Sequence, residues 1–95
     1  MLSRNRAIIA RDKISVNRDG AIMEIKMLEF GRRLKALRSE RALTQKSMAL
    51  LLGKTERHYQ DMEAGKINVP GLTLIKLADY FNVSIDYLVG RRDEK

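Results

Sequence analysis

The side chains best suited to specific polar recognition fall within one short stretch, with Thr55, Glu56, Arg57, Gln60 and Asp61 followed by Glu63 and Lys66. At helical spacing, positions 56, 57, 60 and 61 share a face, because residues three and four apart are neighbours on a helix. Such a face carries a guanidinium, a carboxamide and two carboxylates, groups that donate and accept hydrogen bonds in a defined pattern. Nothing in the rest of the chain turns that pattern toward catalysis. His58 is the single histidine and cysteine is absent. There is no glycine-rich phosphate loop, no Ser/His/Asp constellation and no paired carboxylate in an evident cleft. A lone histidine is also too little for a metal centre. The expectation is a binding protein and not an enzyme, without metal or cofactor and without an evident small-molecule ligand.

The charge balance indicates a class of partner. Nineteen basic residues stand against 12 acidic ones, giving a net charge of +7 and a pI near 10.1. An excess of this kind favours a polyanion, either nucleic acid or an anionic membrane surface. No polybasic tract concentrates it, since residues 1–26 and 27–95 are both mildly basic. The membrane is the weaker reading: no run approaches the roughly 18 apolar residues of a span, and the basic start MLSRNRAIIARDK lacks the apolar core of a signal sequence. A reducing, cytoplasmic location fits a chain with no cysteine.

Positioning the polar face requires helices on both sides of it. Met27, Phe30, Leu34 and Leu37 recur at helical spacing with Arg32, Arg33, Lys35 and Arg38 between them, which predicts an amphipathic helix over 27–38 with a basic outer face. Thr44 is a hydroxyl N-cap for a second helix, whose apolar stripe Met48, Ala49, Leu51 and Leu52 ends at Gly53, a favourable left-handed C-cap. Only Gly53, Lys54 and Thr55 precede the next helix, in which Thr55 caps, Tyr59 and Met62 face inward and Gly65 closes. Two helices joined by so short a glycine-containing turn form a helix-turn-helix unit. After the loop 66–71, Leu74, Ile75, Leu77, Ala78 and Phe81 mark a fourth helix ending near Asn82, and Ser84 caps a short fifth helix with Leu88 inward. The tail 91–95 is expected to fray.

Residues 1–26 read differently. Ile14-Ser15-Val16 and Ala21-Ile22-Met23-Glu24-Ile25 are β-prone runs around the turn-like Asn17-Arg18-Asp19-Gly20, the pattern of a β-hairpin arm. The alternative is a frayed extension, or a tail ahead of a functional start at Met23 or Met27. An isolated hairpin is marginal in water, so an ordered arm would need the helical domain or a second subunit to pack on.

The landmarks Leu34-x-x-Leu37-Arg38, Leu43-Thr44-Gln45, Ala49, Gly53, Glu63-x-Gly65, Pro70, Leu77-Ala78 and Val83-Ser84-Ile85-Asp86-Tyr87-Leu88 stand in register over about two-thirds of the chain. Together they resemble the Cro/C1-type, or XRE, helix-turn-helix family. The resemblance implies an all-α, five-helix, lambda-repressor-like domain over 27–90, with the helix-turn-helix itself at 45–64. It also implies a recognition helix at about 55–64 that lies in the major groove of double-stranded DNA.

Under that resemblance the base-reading candidates are Thr55, Glu56, Arg57, Gln60 and Asp61. Arg57 leads them, because a guanidinium can bond guanine O6 and N7 together. Gln45, at the start of the second helix, matches the position where the family grips a phosphate with an amide side chain. Lys54, Lys66 and Arg38 are further phosphate candidates. Arg38 and Glu63 match positions that pair internally in several family members. Two departures stand out. Glu56, Asp61 and Glu63 outnumber Arg57 in the recognition helix, so the acids either accept from cytosine N4 or weaken binding. Tyr59 replaces a smaller aliphatic residue, and its hydroxyl needs water, a phosphate or a polar partner. The expected function is a sequence-specific transcriptional regulator of repressor type, binding a palindromic operator as a homodimer through apolar residues around Ile85, Tyr87, Leu88 and Val89. The rival is a protein-interaction adaptor or antitoxin-like module on the same fold.

Overall fold

The computed structural model describes residues 24–95, with side chains from residue 27 onward, and its regular structure there is entirely helical. The elements are α1 (Glu24–Glu40), α2 (Gln45–Leu52), α3 (Glu56–Glu63), α4 (Gly71–Phe81) and α5 (Ile85–Leu88). Helices of eight residues or fewer are marginal alone in water, so α2, α3 and α5 depend on what they bury. Phe30, Leu34 and Leu37 of α1 form one wall of a single core. Met48, Ala49, Tyr59, Met62, Leu77, Ala78, Phe81 and Leu88 complete it. Burying each large apolar side chain stabilises by about 1.5–3 kcal/mol relative to exposure, and the stripes along the chain converge on this core.

Local chemistry sets the helix ends. The Thr44 hydroxyl accepts from the Ser47 amide at 3.0 Å, Thr55 from His58 at 3.0 Å, and Ser84 from Tyr87 at 2.9 Å. At the other ends, Gly53 (φ 69°) and Asn82 (φ 56°) take the left-handed conformation that stops α2 and α4. Helix α1 stops the same way on a residue poorly suited to it. Ala42 has φ 55°, with the Leu43 amide bonded to the Arg38 carbonyl at 3.1 Å and the Ala42 amide to Ser39 at 3.0 Å. That is a Schellman closure with alanine where glycine is usual.

Helices α1 and α3 approach closely at Gly31, buried on α1. A Cβ built there would stand 2.2 Å from the carbonyl oxygen of Glu63, so only glycine lets the end of α3 rest on the backbone of α1.

Four expectations need correction. Helix α1 includes Glu24 and Ile25, the first described residues, which are therefore helical and not part of a strand; the remainder of the hairpin pattern lies outside the described residues. The tail lies docked against the domain, where Arg33 contacts it. The Arg33 guanidinium bonds Glu29 at 2.7 Å, the carbonyls of Tyr87 and Arg92 at 2.9 and 2.5 Å, and the Asp93 carboxylate at 2.9 Å, while lying 4.5 Å above the Tyr87 ring. The Ser84 amide also bonds the Lys95 carbonyl at 2.9 Å. Third, the outer face of α1 is less basic than its composition, since Arg33 and Arg38 are turned into the protein. Finally, Leu88 is fully buried and Tyr87 lies beneath Arg33, whereas Leu72 and Ile75 of α4 are exposed along with Ile85. Leu72 and Ile75, three apart, share the side of α4 turned away from the core, which is met by Leu74, Leu77, Ala78 and Phe81.

Two substitutions test this backbone reading in thermal denaturation. Ala42→Gly removes the left-handed strain of a residue with a Cβ, about 1–2 kcal/mol, and is expected to raise the melting temperature by roughly 4–8 °C for each kcal/mol. Gly31→Ala drives a methyl into backbone that cannot yield, and is expected to destabilise by about 1–3 kcal/mol. A neutral Gly31→Ala would mean that α1 and α3 are not in this register.

Candidate nucleic-acid interface

Helices α2 and α3 are separated by Gly53, Lys54 and Thr55. Tyr59 and Met62 anchor α3 in the core, leaving Glu56, Arg57 and Gln60 exposed on its outer side together with Thr55 and Lys54 before it. Arg57 is 81% exposed and lies 3.7 Å from the Asp61 carboxylate, which is 29% exposed. Asp61 is thus shielded and drawn toward Arg57, less free than its helical position suggested. His58 is half-buried, and Lys66 stands exposed just beyond the end of α3.

Behind this surface lies a polar cluster centred on Glu63, whose side chain is only 5% exposed. Its Oε2 accepts from Arg38 Nε at 2.6 Å and from the Tyr59 hydroxyl at 2.5 Å. Its Oε1 accepts from Arg38 Nη2 and from Gln45 Nε2, both at 3.1 Å. Arg38 also donates to the Leu43 carbonyl at 2.8 Å. One carboxylate therefore joins α1, the start of α2 and the end of α3. Burial pushes the Glu63 pKa up, but the donors Arg38, Tyr59 and Gln45 more than offset this and hold it below the ordinary 4.5. The same contact raises the Arg38 pKa, through its hydrogen bond to Glu63. Tyr59 is shifted upward, first by burial and then by its bond to the carboxylate, so it remains a donor.

The candidate residues thus divide by position. Thr55, Glu56, Arg57 and Gln60 share the open face of α3; Lys54 and Lys66 flank it; Gln45 is half-buried at the start of α2; and Arg38 lies behind them with Glu63. Thr55 is occupied as an acceptor by its cap bond, though its hydroxyl hydrogen stays available. The sequence left the partner of Tyr59 open. Its spacing of four from Glu63 is the signal that places a phenol one turn from a carboxylate. Arg33 as the clamp of the tail had no such signal, since its partners Asp93 and Arg92 are distant in the chain.

Comparison with known proteins agrees with this geometry. The sequence model of the helix-turn-helix family matches residues 34–88, from the middle of α1 to the end of α5. The chain belongs to the Cro/C1-type helix-turn-helix family. Similar proteins include two from Bacillus subtilis (strain 168). The SPbeta prophage-derived HTH-type transcriptional regulator YonR is 40% identical over 60 residues, which are 63% of this chain and 56% of that protein. The HTH-type transcriptional regulator YqaE is 39% identical over 67 residues, 70% of this chain and 58% of that protein. The chain thus spans little more than half the length of these two relatives. Among solved structures, the restriction-modification controller protein C.AhdI from Aeromonas hydrophila aligns over 67% of this chain and 97% of its own, with a TM-score of 0.60 and 30% identity. The all-helical, lambda-repressor-like architecture and the helix-turn-helix at its centre agree with that family membership. Among the described residues no helix is long and apolar enough to cross a membrane.

The Glu63 cluster gives this helix-turn-helix domain a defined response to acid. A carboxyl group whose folded pKa lies below its unfolded value contributes stability that is complete above the unfolded value, near 4.5. The contribution is lost as pH falls through the lower folded value. Thermal stability is therefore expected to hold from neutral pH down to about pH 5 and to fall below it. Glu63→Gln is expected to be less stable at neutral pH and to show a shallower acid limb. An acid limb as steep as that of the unaltered protein would show that Glu63 is not what titrates.

Proposed function

We propose that this chain is a sequence-specific regulator that binds double-stranded DNA with α3 in the major groove, acting as a repressor on a palindromic operator as a homodimer. The observation that carries the reading is the arrangement of α3. Tyr59 and Met62 fix its inner side, while the first two turns leave Glu56, Arg57 and Gln60 open to solvent beside Thr55. A helix anchored on one side, with polar heads of this kind on the other, fits a groove about 12 Å wide.

In this reading Arg57 bonds a guanine edge, and Gln60 or Glu56 reads a neighbouring base pair. Gln45, Lys54 and Lys66 meet phosphates and set the register, with Arg38 behind them. Of the three acids of α3, Glu63 is engaged inside the protein by Arg38, and Asp61 has Arg57 beside it at the surface, 3.7 Å away. That supports DNA over a basic protein as the partner, because the acidity that would serve an adaptor is largely neutralised. The exposed apolar residues Leu72, Ile75 and Ile85 support a self-associating face on α4 and α5, with half-sites about 10 bp apart, one helical turn.

Selection from random duplexes at fixed salt tests the reading. A palindromic consensus with saturable, salt-sensitive binding is expected, and binding to no duplex would sink it in favour of the adaptor. Within a selected operator, the roles separate by titration at several salt concentrations. Arg57→Ala is expected to cost about 1–3 kcal/mol on the operator and to relax the preference at one base pair. Lys66→Ala is expected to weaken all sequences alike and reduce the salt slope by about 1. Equal losses on operator and scrambled duplex for Arg57→Ala would remove it from the base readers.

A further inference from the structure

We propose that Glu63 and Tyr59 are positioning residues for Gln45, holding its amide ready for a phosphate before DNA arrives. This rests on the reading above in which the chain binds duplex DNA and Gln45 meets the backbone.

A carboxylate can only accept, so the amide nitrogen of Gln45 is the atom that must face Glu63. Nε2 carries two hydrogens. One is committed to Glu63 Oε1 at 3.1 Å, and the other has no acceptor among the described residues. The amide is thereby fixed in one of its two orientations, with a donor to spare at the helix end where the Gln45 and Lys46 backbone amides also lack intrahelical partners. The Thr44 hydroxyl and carbonyl serve Ser47 and Met48, further along, and leave those first two amides open.

The carboxylate is itself held in place. The terminal torsion of a glutamate is broad, yet Arg38 bonds both oxygens and Tyr59 adds a third constraint on Oε2. With Oε2 taken by Arg38 Nε and the phenol, Oε1 is kept toward α2. A glutamine on an open surface loses rotamer freedom when it grips a phosphate, whereas here the fold has already restricted it. Tyr59 thus has a use that an aliphatic residue at its position could not supply.

The test is a double-mutant cycle in DNA binding, read on an operator selected from random duplexes and on a scrambled duplex, with melting curves to confirm folding. Gln45→Ala alone is expected to lose about five-fold on both duplexes. Glu63→Asp keeps the charge for Arg38 but withdraws the acceptor from Gln45 by one methylene, and is expected to lose about five-fold on both duplexes with an unchanged salt slope. Tyr59→Phe keeps the core shape and is expected to lose about two-fold in the same way. In the Gln45→Ala background both losses should vanish, because nothing remains to be positioned. Losses that persist there would make Glu63 and Tyr59 merely structural and overturn the proposal. If Glu63→Asp does not fold, Tyr59→Phe decides alone. Normal binding by Gln45→Ala would overturn the proposal while leaving the DNA reading intact, whereas failure of the unaltered protein on every duplex would defeat that reading itself.

Discussion

A carboxylate withdrawn from water is the constraint on which the rest of this structure depends. Glu63 lies at the end of α3 with its side chain turned inward and only 5% exposed, and an ion in that position is tolerable only if its lone pairs are filled. Four hydrogen bonds fill them, from Arg38, Tyr59 and Gln45. Because these donors belong to three different helices, satisfying one charge also sets the mutual placement of α1, α2 and α3. An apolar contact could contribute as much stability without specifying the angle so narrowly, since packing is non-directional and the bonds to a carboxylate are not.

The backbone is built to permit that convergence. Gly31 lets the last carbonyl of α3 lie against α1, which brings Glu63 within reach of an arginine two turns further along α1. The left-handed turn at Gly53 reverses the chain quickly enough for Gln45, at the far end of α2, to come back to the same carboxylate. These are properties of main-chain geometry, and the side-chain network is their consequence.

Charge is distributed in the same economical manner. Arginines that look like surface charges in the sequence are spent internally. Arg38 goes to Glu63, Arg33 to the tail and the Tyr87 ring, and Arg41 lies over Tyr80 and Phe81, where it meets the Tyr80 carbonyl at the end of α4. A cation at the C-terminus of a helix is favourably placed with respect to its dipole. Arg57, the one arginine of α3, keeps its guanidinium open to solvent on the face that carries the proposed base contacts.

The helices and their order could be read along the chain, because caps, stripes and turns are local signals. Thr44, Thr55 and Ser84 each had a free amide three residues ahead; Gly53 and Asn82 can take a left-handed bend; and the stripe Phe30, Leu34, Leu37 follows from spacing alone. The register of landmarks from Leu34 to Leu88 was also legible, and with it the family. What the sequence could not determine depends on distance in three dimensions. The close approach that demands Gly31, the docking of the tail by Arg33 and the outward turn of Ile75 all depend on which surfaces meet after the helices pack. Local signals report what a residue can do within about one turn. The energy that decides between an exposed charge and a shared one depends on neighbours that only the folded chain brings together.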